Sequence, residues 1–141
     1  MTESPAPPLQ PVPDDMTSFF WDAARRHELH LQHCSSCGTY QHPPEPVCSS
    51  CLSFDLGGAP VSGRGTVYSY EMATQAFHPA FADKLPLCIA VIELDDQPGL
   101  KILSNIIDLP ADGVSVGDRV EVCFNDLSDT IALPVFRLAR A

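Results

Sequence analysis

Basic residues are scarce in this chain. Its 141 residues include eight Lys plus Arg against eighteen Asp plus Glu, which gives a formal net charge of −10 at pH 7. A general DNA- or RNA-binding protein needs cations that displace counterions from phosphates. This chain therefore repels a polyanion over most of its surface, and any anionic ligand must be held locally by a few placed groups.

Membrane and export signals are also missing. No apolar run of about 18 residues or more occurs, so a membrane-spanning helix is not expected. The first thirteen residues contain five prolines and have neither the basic nor the apolar region of a signal peptide. We therefore expect a cytoplasmic protein, whose six cysteines are metal ligands and buried residues and not disulfides.

Familiar catalytic motifs are absent as well. The chain has no Gly-x-Ser-x-Gly elbow, no His-Glu-x-x-His helix, no Walker loop and no Gly-x-Gly-x-x-Gly turn. Its carboxylates fall at turns, without a pair suited to general acid and base catalysis. His78 is the one histidine outside the N-terminal third, and a lone loop histidine is more often packed or solvated than catalytic. These absences favour a binding or accessory module over an enzyme.

Composition divides the chain into three predicted regions. Residues 1–13 are proline-rich and are expected to form a disordered tail, with a partner-docking arm as the alternative. Residues 14–58 are predicted to form a helix, over about 15–28, followed by a ribbon that carries cysteines. Residues 59–141 are predicted to form a five-stranded antiparallel barrel, so the expected class is mainly β. The expected strands are 65–72, 87–94, 100–107, 119–124 and 135–138.

The predicted helix carries three consecutive large aromatic side chains, Phe19, Phe20 and Trp21. Asp14 and Asp15 precede them as N-cap residues. Three such side chains are too many for one face of an isolated short helix. Either the helix is sandwiched between two bodies, or one side of it is a partner surface.

Two Cys-x-x-Cys pairs separated by ten residues form the strongest motif. The four residues are Cys34, Cys37, Cys48 and Cys51. Two such turns facing each other make a tetrahedral structural zinc site. A rubredoxin-like iron site uses similar turns, but nothing here indicates an electron-transfer partner. A catalytic zinc needs an open position, which four cysteines deny. His33 and His42 lie beside the pairs as substitute ligands, although four thiolates suffice without them.

The other two cysteines, Cys88 and Cys123, lie inside apolar strands. We interpret them as small buried hydrophobic residues. A nucleophilic cysteine needs a basic neighbour, and the segment PLCIAV around Cys88 offers none.

Several segments together resemble the DUF35 family. They are FFWDAARRHELHLQHCSSCGTYQHPPEPVCSSC, GRGTVYSY, AFHPAFADKLPLCIAVIELD, ILSNIID, VGDRVEVCF and LPVFR, and the resemblance covers about residues 15–139. Members of this family pair a rubredoxin-like zinc ribbon, preceded by a helix, with a C-terminal OB-fold. The resemblance therefore implies a five-stranded OB-fold barrel after the Cys₄ ribbon.

The resemblance also implies a non-catalytic accessory subunit. DUF35 proteins associate with thiolase-superfamily enzymes, such as thiolases, hydroxymethylglutaryl-CoA synthases and the lipid-transfer-protein-like aldolases of steroid side-chain breakdown, or with hydratase subunits. The catalytic residues then belong to the partner, and the DUF35 chain supports it and helps shape the channel for a CoA thioester. The expected assembly is a hetero-oligomer with structural zinc and with acyl-CoA shared between the subunits.

A CoA ester carries phosphates and an adenine, so its site needs one or two cations and an aromatic wall. The longest barrel loop, residues 74–86, is the best candidate, since long loops on rigid barrels often carry function. The candidate contacts are Arg64, Lys84, Arg119 and Arg137 for the phosphates, and Phe77, His78 and Phe81 for the wall. Arg25 and Arg26 on the helix are alternatives. The candidate partner interface is Phe19, Phe20 and Trp21.

Two other functions remain open from the residues. An OB-fold can bind single-stranded nucleic acid by stacking bases on aromatic side chains, here Tyr68, Tyr70 and Phe124, although the same alternation suits core positions and the net charge opposes such binding. A small stand-alone CoA-thioester enzyme would use His78 or Cys88.

Overall fold

The computed structural model describes residues 9–139, so the first eight residues of the predicted tail lie outside the described part. The fold is mainly β, with an N-terminal helix, a Cys₄ ribbon and a closed five-stranded barrel, which confirms the predicted class. The elements are α1 (Ser18–Arg25), β1 (His30–Cys34), β2 (Tyr40–Gln41), β3 (Leu56–Pro60), β4 (Arg64–Ala73), a 3₁₀ turn (Pro79–Phe81), β5 (Leu87–Leu94), β6 (Lys101–Ile106), β7 (Arg119–Asp126) and β8 (Ala132–Leu138). Within the described range, no helix combines the length and the hydropathy of a membrane span.

The helix is shorter than the predicted range of 15–28. The carboxylate of Asp14 accepts hydrogen bonds from the backbone N–H groups of Met16 at 3.1 Å and Thr17 at 2.8 Å. These bonds hold a turn that delays the start of α1 to Ser18. At the other end, His27 has a left-handed φ of 60°, which a helix cannot continue. Both predicted ends were therefore wrong, because side-chain bonds from Asp14 delay the start of the helix and the backbone conformation of His27 ends it early.

The ribbon is a three-stranded antiparallel sheet in the order β2-β1-β3, with β1 in the centre. Leu31 and Cys34 of β1 are fully buried. The helix packs directly on β3, because a Cβ built on Gly58 would approach Cδ2 of Phe19 to 2.6 Å. Phe19 is therefore partly buried against the ribbon itself.

The barrel closes in the order β4-β5-β6-β8-β7. Its strand pairs are antiparallel except β6 with β8, which is parallel, so the prediction of a wholly antiparallel barrel was wrong at the pair that closes it. Alternate residues of β5 point inward, and Phe136 of β8 is fully buried at the centre of the core. The five predicted strands are all present, but β8 begins at Ala132, three residues before the predicted Val135. Pro134 misled the prediction because proline lacks an N–H and normally interrupts a strand. Here its carbonyl accepts the hydroxyl of Ser104 at 2.9 Å.

Two side chains fasten the ribbon to the barrel. The Tyr40 backbone N–H donates to Oε1 of Gln97 at 2.9 Å, and Nε2 of Gln97 donates to the Tyr40 carbonyl at 2.9 Å. On the helix side, Nε2 of His27 lies 2.8 Å from Asp126, and its ring stacks on Phe124 with a centroid separation of 5.2 Å. These contacts hold the two units at two separated points, and between them Leu29 and Leu31 pack in the same buried cluster as the barrel core.

Candidate metal centre and apolar trough

The sulfur atoms of the two cysteine pairs converge at one end of the ribbon. All four lie within 4.8 Å of one another. The Cys34 and Cys51 sulfurs are 3.6 Å apart, as are those of Cys37 and Cys48. A tetrahedron with Zn–S bonds of about 2.3 Å has sulfur–sulfur edges of about 3.8 Å, whereas a disulfide needs about 2.05 Å. The spacing therefore fits a tetrahedral metal and not disulfides.

The two cysteine turns, or knuckles, share one backbone pattern. The N–H groups of Gly38 and Leu52 donate to the carbonyls of Cys34 and Cys48 at 2.8 and 3.0 Å. Gly38 and Leu52 both adopt left-handed φ angles, of 77° and 64°. Glycine adopts this conformation without strain and leucine does not. The conformation of Leu52 in the second knuckle therefore depends more on contacts with neighbouring residues than that of Gly38 does.

The local hydrogen bonds favour the thiolate at two of the four cysteines, whereas at Cys48 the backbone bonds of Cys51 and Ser50 are outweighed by desolvation and by the Cys37 and Cys51 thiols, which raise the pKa. The Ser53 hydroxyl, followed by the Cys37 backbone amide, lowers the pKa of Cys34 to about 6. The Thr39 hydroxyl and backbone amide lower the pKa of Cys37 in the same way. Because zinc binds the thiolate form, this donor set suits a structural zinc. The histidines beside the pairs turn elsewhere: His33 packs on Tyr40 and His42 stacks on Phe20.

A continuous apolar trough runs between the helix, the ribbon and the barrel. It consists of two adjoining cavities of about 530 and 480 Å³ that share the side chains of Phe81, Leu87, Asn105 and Leu133. The larger cavity is also lined by Phe20, Trp21, His42, Pro43, Pro44, Ile89 and Leu103. Lys84 and Asp108 line the smaller one. Volumes of this size are typical of ligand sites.

The trough exposes apolar side chains to solvent. Leu103 is 68% exposed and Ile89 is 37% exposed on the outer face of the barrel. The Asn105 side-chain amide donates to the Cys88 carbonyl at 3.0 Å, so it is already partnered. The sequence analysis missed Ile89 and Leu103. The sequence did contain a signal for this exposed apolar surface. The β5 segment LCIAVIEL is apolar on both faces, whereas a barrel strand normally needs apolar residues only on the face that points into the core.

The seven candidate CoA contacts do not converge on one place. Phe81 and Lys84 line the trough, with the Lys84 ammonium 5.7 Å from the centre of the Phe81 ring. His78 uses Nδ1 to accept the N–H of Ala80 at 3.0 Å and thereby caps the 3₁₀ turn. Phe77 is 91% exposed in the same loop.

The candidate arginines lie elsewhere and two are paired with carboxylates. Arg119 donates from both terminal nitrogens to Asp95, and also to the Thr66 hydroxyl at 2.9 Å. Nε of Arg137 donates to Glu121 at 2.9 Å. Both pairs are about half exposed, so an arriving phosphate would have to compete with a carboxylate at each.

The Asp95–Arg119 pair predicts a pH-dependent stability difference. The Arg119 hydrogen bond lowers the pKa of Asp95, against partial desolvation, and the charges of Arg119 and Arg64 add to this effect. A carboxyl whose pKa is lowered in the folded state stabilises the fold fully above the unfolded pKa, and this stabilisation is lost as the pH falls through the lower, folded pKa. We expect Asp95→Asn to lower Tm by about 1–4 °C at pH 7, with the difference starting to shrink near about pH 4 and disappearing at lower pH. Thermal unfolding of both proteins across that range tests this, and an unchanged difference at low pH would contradict it.

Neither remaining cysteine is an activated nucleophile. Cys88 is buried, as predicted, and burial raises the pKa of its thiol. Cys123 is only half-buried, so the prediction of a core position was wrong, but partial burial raises its pKa as well. Across residues 9–139, the four ribbon cysteines are the single cluster of His, Cys, Asp and Glu side chains able to hold a metal.

The three aromatic side chains considered for base stacking differ in their exposure. Tyr68 is 55% exposed, with the Lys101 ammonium 4.3 Å from its ring centre, and Tyr70 is 38% exposed. Phe124 is partly buried beneath His27. The three rings are therefore not equivalent, since two are at the surface and one is packed against the helix end.

Comparison with known proteins gives two family matches. Residues 21–57 match the family model described as the ChsH2 rubredoxin-like zinc ribbon domain. Residues 59–125 match the model described as the ChsH2 C-terminal OB-fold domain.

Three relatives are informative. A probable enoyl-CoA hydratase alpha subunit of Thermomonospora curvata is 34% identical over 140 residues, which is 98% of this chain and 43% of that protein. A 3-oxo-4,17-pregnadiene-20-carboxyl-CoA hydratase alpha subunit of Mycobacterium tuberculosis is 30% identical in an alignment 138 residues long that covers 89% of this chain and again 43% of that protein. The chain thus spans less than half the length of these curated relatives. In a solved structure described as an Ltp2-ChsH2(DUF35) aldolase, one chain is 33% identical, with a TM-score of 0.81 and coverage of 92% of this chain and 98% of that chain.

Proposed function

Because the chain belongs to the DUF35 family, with the ChsH2 zinc ribbon followed by an OB-fold, we propose that it is a non-catalytic accessory subunit of a partner enzyme. The observation that carries the proposal is the apolar trough. It exposes Leu103 and Ile89, and Trp21 also lines it. Such an exposed apolar surface is typical of a protein interface or a ligand-binding groove.

The proposed partner is a thiolase-superfamily enzyme, either a thiolase or a lipid-transfer-protein-like aldolase. The aldolase named in the related solved structure supports this choice. Phe20 and Trp21 would contact the partner from the trough, and Phe19 would support them from beneath.

The proposed shared ligand is an acyl-CoA. Both curated relatives are named for CoA thioesters, and one of them for a steroid acid. Lys84 is the one lysine or arginine among the trough-lining side chains of residues 9–139, and it lies beside the Phe81 ring. We therefore favour Lys84 and Phe81 over Arg119 and Arg137 for contacts with the CoA portion, since those arginines already have carboxylate partners.

The experiment is co-purification with a thiolase-superfamily aldolase from the same organism. Light scattering after size exclusion gives the stoichiometry, and retro-aldol turnover is measured for each subunit and for the complex. We expect no turnover by the isolated chain and turnover by the complex. Robust thiolytic or retro-aldol activity of this chain alone would overturn the accessory role.

A charge placed in the trough is expected to weaken the complex. Leu103→Asp puts a carboxylate at the centre of the exposed apolar surface, where desolvation on docking is unfavourable. We expect the Kd for the partner to rise about tenfold or more, measured by calorimetry. The matched control is Val116→Asp, which alters a 65% exposed residue outside the trough. Equal weakening by both variants would contradict the assignment of the interface to the trough.

A further inference from the structure

One wall of the trough belongs to the metal-binding unit. His42, Pro43 and Pro44 follow β2 and precede the second knuckle, and all three line the larger cavity. We refer to residues 42–47 as the inter-knuckle loop. His42 stacks on Phe20 with a centroid separation of 6.0 Å, and Phe20 meets Trp21 edge to face at 4.8 Å. The loop therefore supports the aromatic side chains that form the floor of the trough.

The inter-knuckle loop has little core of its own. Between β2 and β3, residues 42–55 contain no helix or strand, and Cys48 is the one buried residue among them. A segment with so little buried apolar surface cannot hold its shape by packing alone. Its position must come from polar contacts and from the knuckles.

Two glutamines connect the loop to the ribbon sheet. Oε1 of Gln32 accepts the Glu45 backbone N–H at 2.9 Å, and its Nε2 donates to the Glu45 carbonyl at 2.9 Å. Nε2 of Gln41 donates to Oε1 of Gln32 at 2.7 Å and to the Val47 carbonyl at 3.2 Å. Gln32 is 7% exposed, so these bonds lie within the ribbon.

Gln41 also contacts the second knuckle. Oε1 of Gln41 accepts the backbone N–H of Ser49 at 2.9 Å and its hydroxyl at 3.0 Å. Ser49 directly follows Cys48, whose sulfur lies 3.6 Å from that of Cys37. A chain of direct contacts thus joins the four sulfurs, the inter-knuckle loop and the trough.

From these contacts we propose that metal occupancy of the Cys₄ site sets the position of the inter-knuckle loop and thereby controls docking at the trough. With metal bound, the knuckles hold Ser49, and Gln41 transmits that position to the loop. Without it, the second knuckle loses its anchor and the ribbon loses its fold, so the wall formed by His42, Pro43 and Pro44 separates from Phe20. The metal centre then acts on partner binding at a distance. The docking part of this inference rests on the proposed function.

Trp21 allows a direct test, because it is the one tryptophan of the chain and lines the trough. Zinc is removed with a chelator and then restored, and the quenching of Trp21 fluorescence by acrylamide is followed. We expect steeper quenching after removal and recovery after zinc is added back. Under the same conditions the Kd for the aldolase subunit should rise about tenfold or more.

A variant can test the position of the inter-knuckle loop without removing the metal ligands. Gln41→Leu keeps all four cysteines but removes the bonds to Val47, Ser49 and Gln32. We expect metal content near that of the parent protein, with steeper Trp21 quenching and weaker partner binding. Ser115→Leu, at an exposed position outside the trough and outside the candidate CoA-binding loop, is the control and should behave as the parent protein.

The outcomes are distinct. Unchanged Trp21 quenching after zinc removal would overturn the inference, and so would altered quenching with an unchanged Kd. Absence of aldolase binding by the zinc-loaded protein would instead count against the proposed function, and the inference about loop position would then be decided by the quenching of the chelated protein and of Gln41→Leu.

Discussion

Replacing Cys48 by serine is expected to abolish stoichiometric zinc binding and to unfold the ribbon, while the barrel stays folded. Zinc prefers thiolate to a serine hydroxyl, and the fully buried Cys48 completes a set of four sulfurs. Structural zinc contributes about 10–16 kcal/mol in zinc-finger peptides, which are unfolded without it. The ribbon strands bury only Leu31, Gln32 and Cys34, and Leu31 packs against the barrel, so the ribbon has no separate core to replace that contribution.

Two measurements check this result. Zinc content per chain is determined after dialysis, and hydrogen exchange is followed strand by strand. We expect β1 and β3 to lose protection and β5 and β7 to keep it. The control is Cys123→Ser, which removes a half-buried thiol from β7 and should retain one zinc per chain. A Cys48→Ser protein with full zinc content, or with a protected β1, would contradict the structural role of the site.

Phe136→Ala is expected to destabilise the barrel by about 3–5 kcal/mol. Phe136 is fully buried, and its backbone joins β8 to both neighbouring strands, since it lies opposite Val122 of β7 and Ile106 of β6. Truncation leaves a cavity at the point where the barrel closes. Urea unfolding followed by circular dichroism measures the loss.

The matched control makes the same substitution at the surface. Phe77 is 91% exposed in the loop before β5, so Phe77→Ala removes an aromatic ring without leaving a cavity. We expect its unfolding free energy to stay within about 0.5 kcal/mol of the parent protein. Comparable losses in the two variants would mean that Phe136 is not central to the core.

The regular elements of the barrel were accessible from the sequence. Alternation of apolar residues with polar turns placed all five strands, because each strand has one buried face with a period of two. The residue types at Asp95, Asp96, Pro98 and Gly99 also favour a turn. It joins β5 to β6, and the left-handed φ of Gly99, 78°, is the conformation for which glycine is suited.

The errors came from interactions that periodicity does not encode. Side-chain bonds from Asp14 shortened α1 at its start, and the backbone of His27 ended it early. Pro134 hid the first residues of β8 because strand propensity treats proline as a break. Cys123 was expected in the core but lies on a half-buried position of β7.

The sequence by itself determined the cysteine cluster and the fold class. A Cys-x-x-Cys spacing confines two thiols to one turn, and the strand period depends on neighbouring residues, so both are local properties. The scarcity of basic residues likewise indicated that few side chains could bind an anionic ligand. Of the candidate phosphate contacts outside the trough, Arg119 and Arg137 form salt bridges with carboxylates.

Only the tertiary structure decided which residues share a surface. The trough joins Trp21 of the helix, Pro43 of the inter-knuckle loop, Phe81 of the 3₁₀ turn and Leu103 of β6, which are far apart in sequence. The tertiary structure also places Lys84 in the trough, whereas Arg119 and Arg137 are paired with carboxylates elsewhere, although the sequence offered all three as equivalent phosphate contacts. These groupings arise from how the ribbon docks on the barrel, and no local spacing records the contacts of Gln97 and His27 that fix this arrangement.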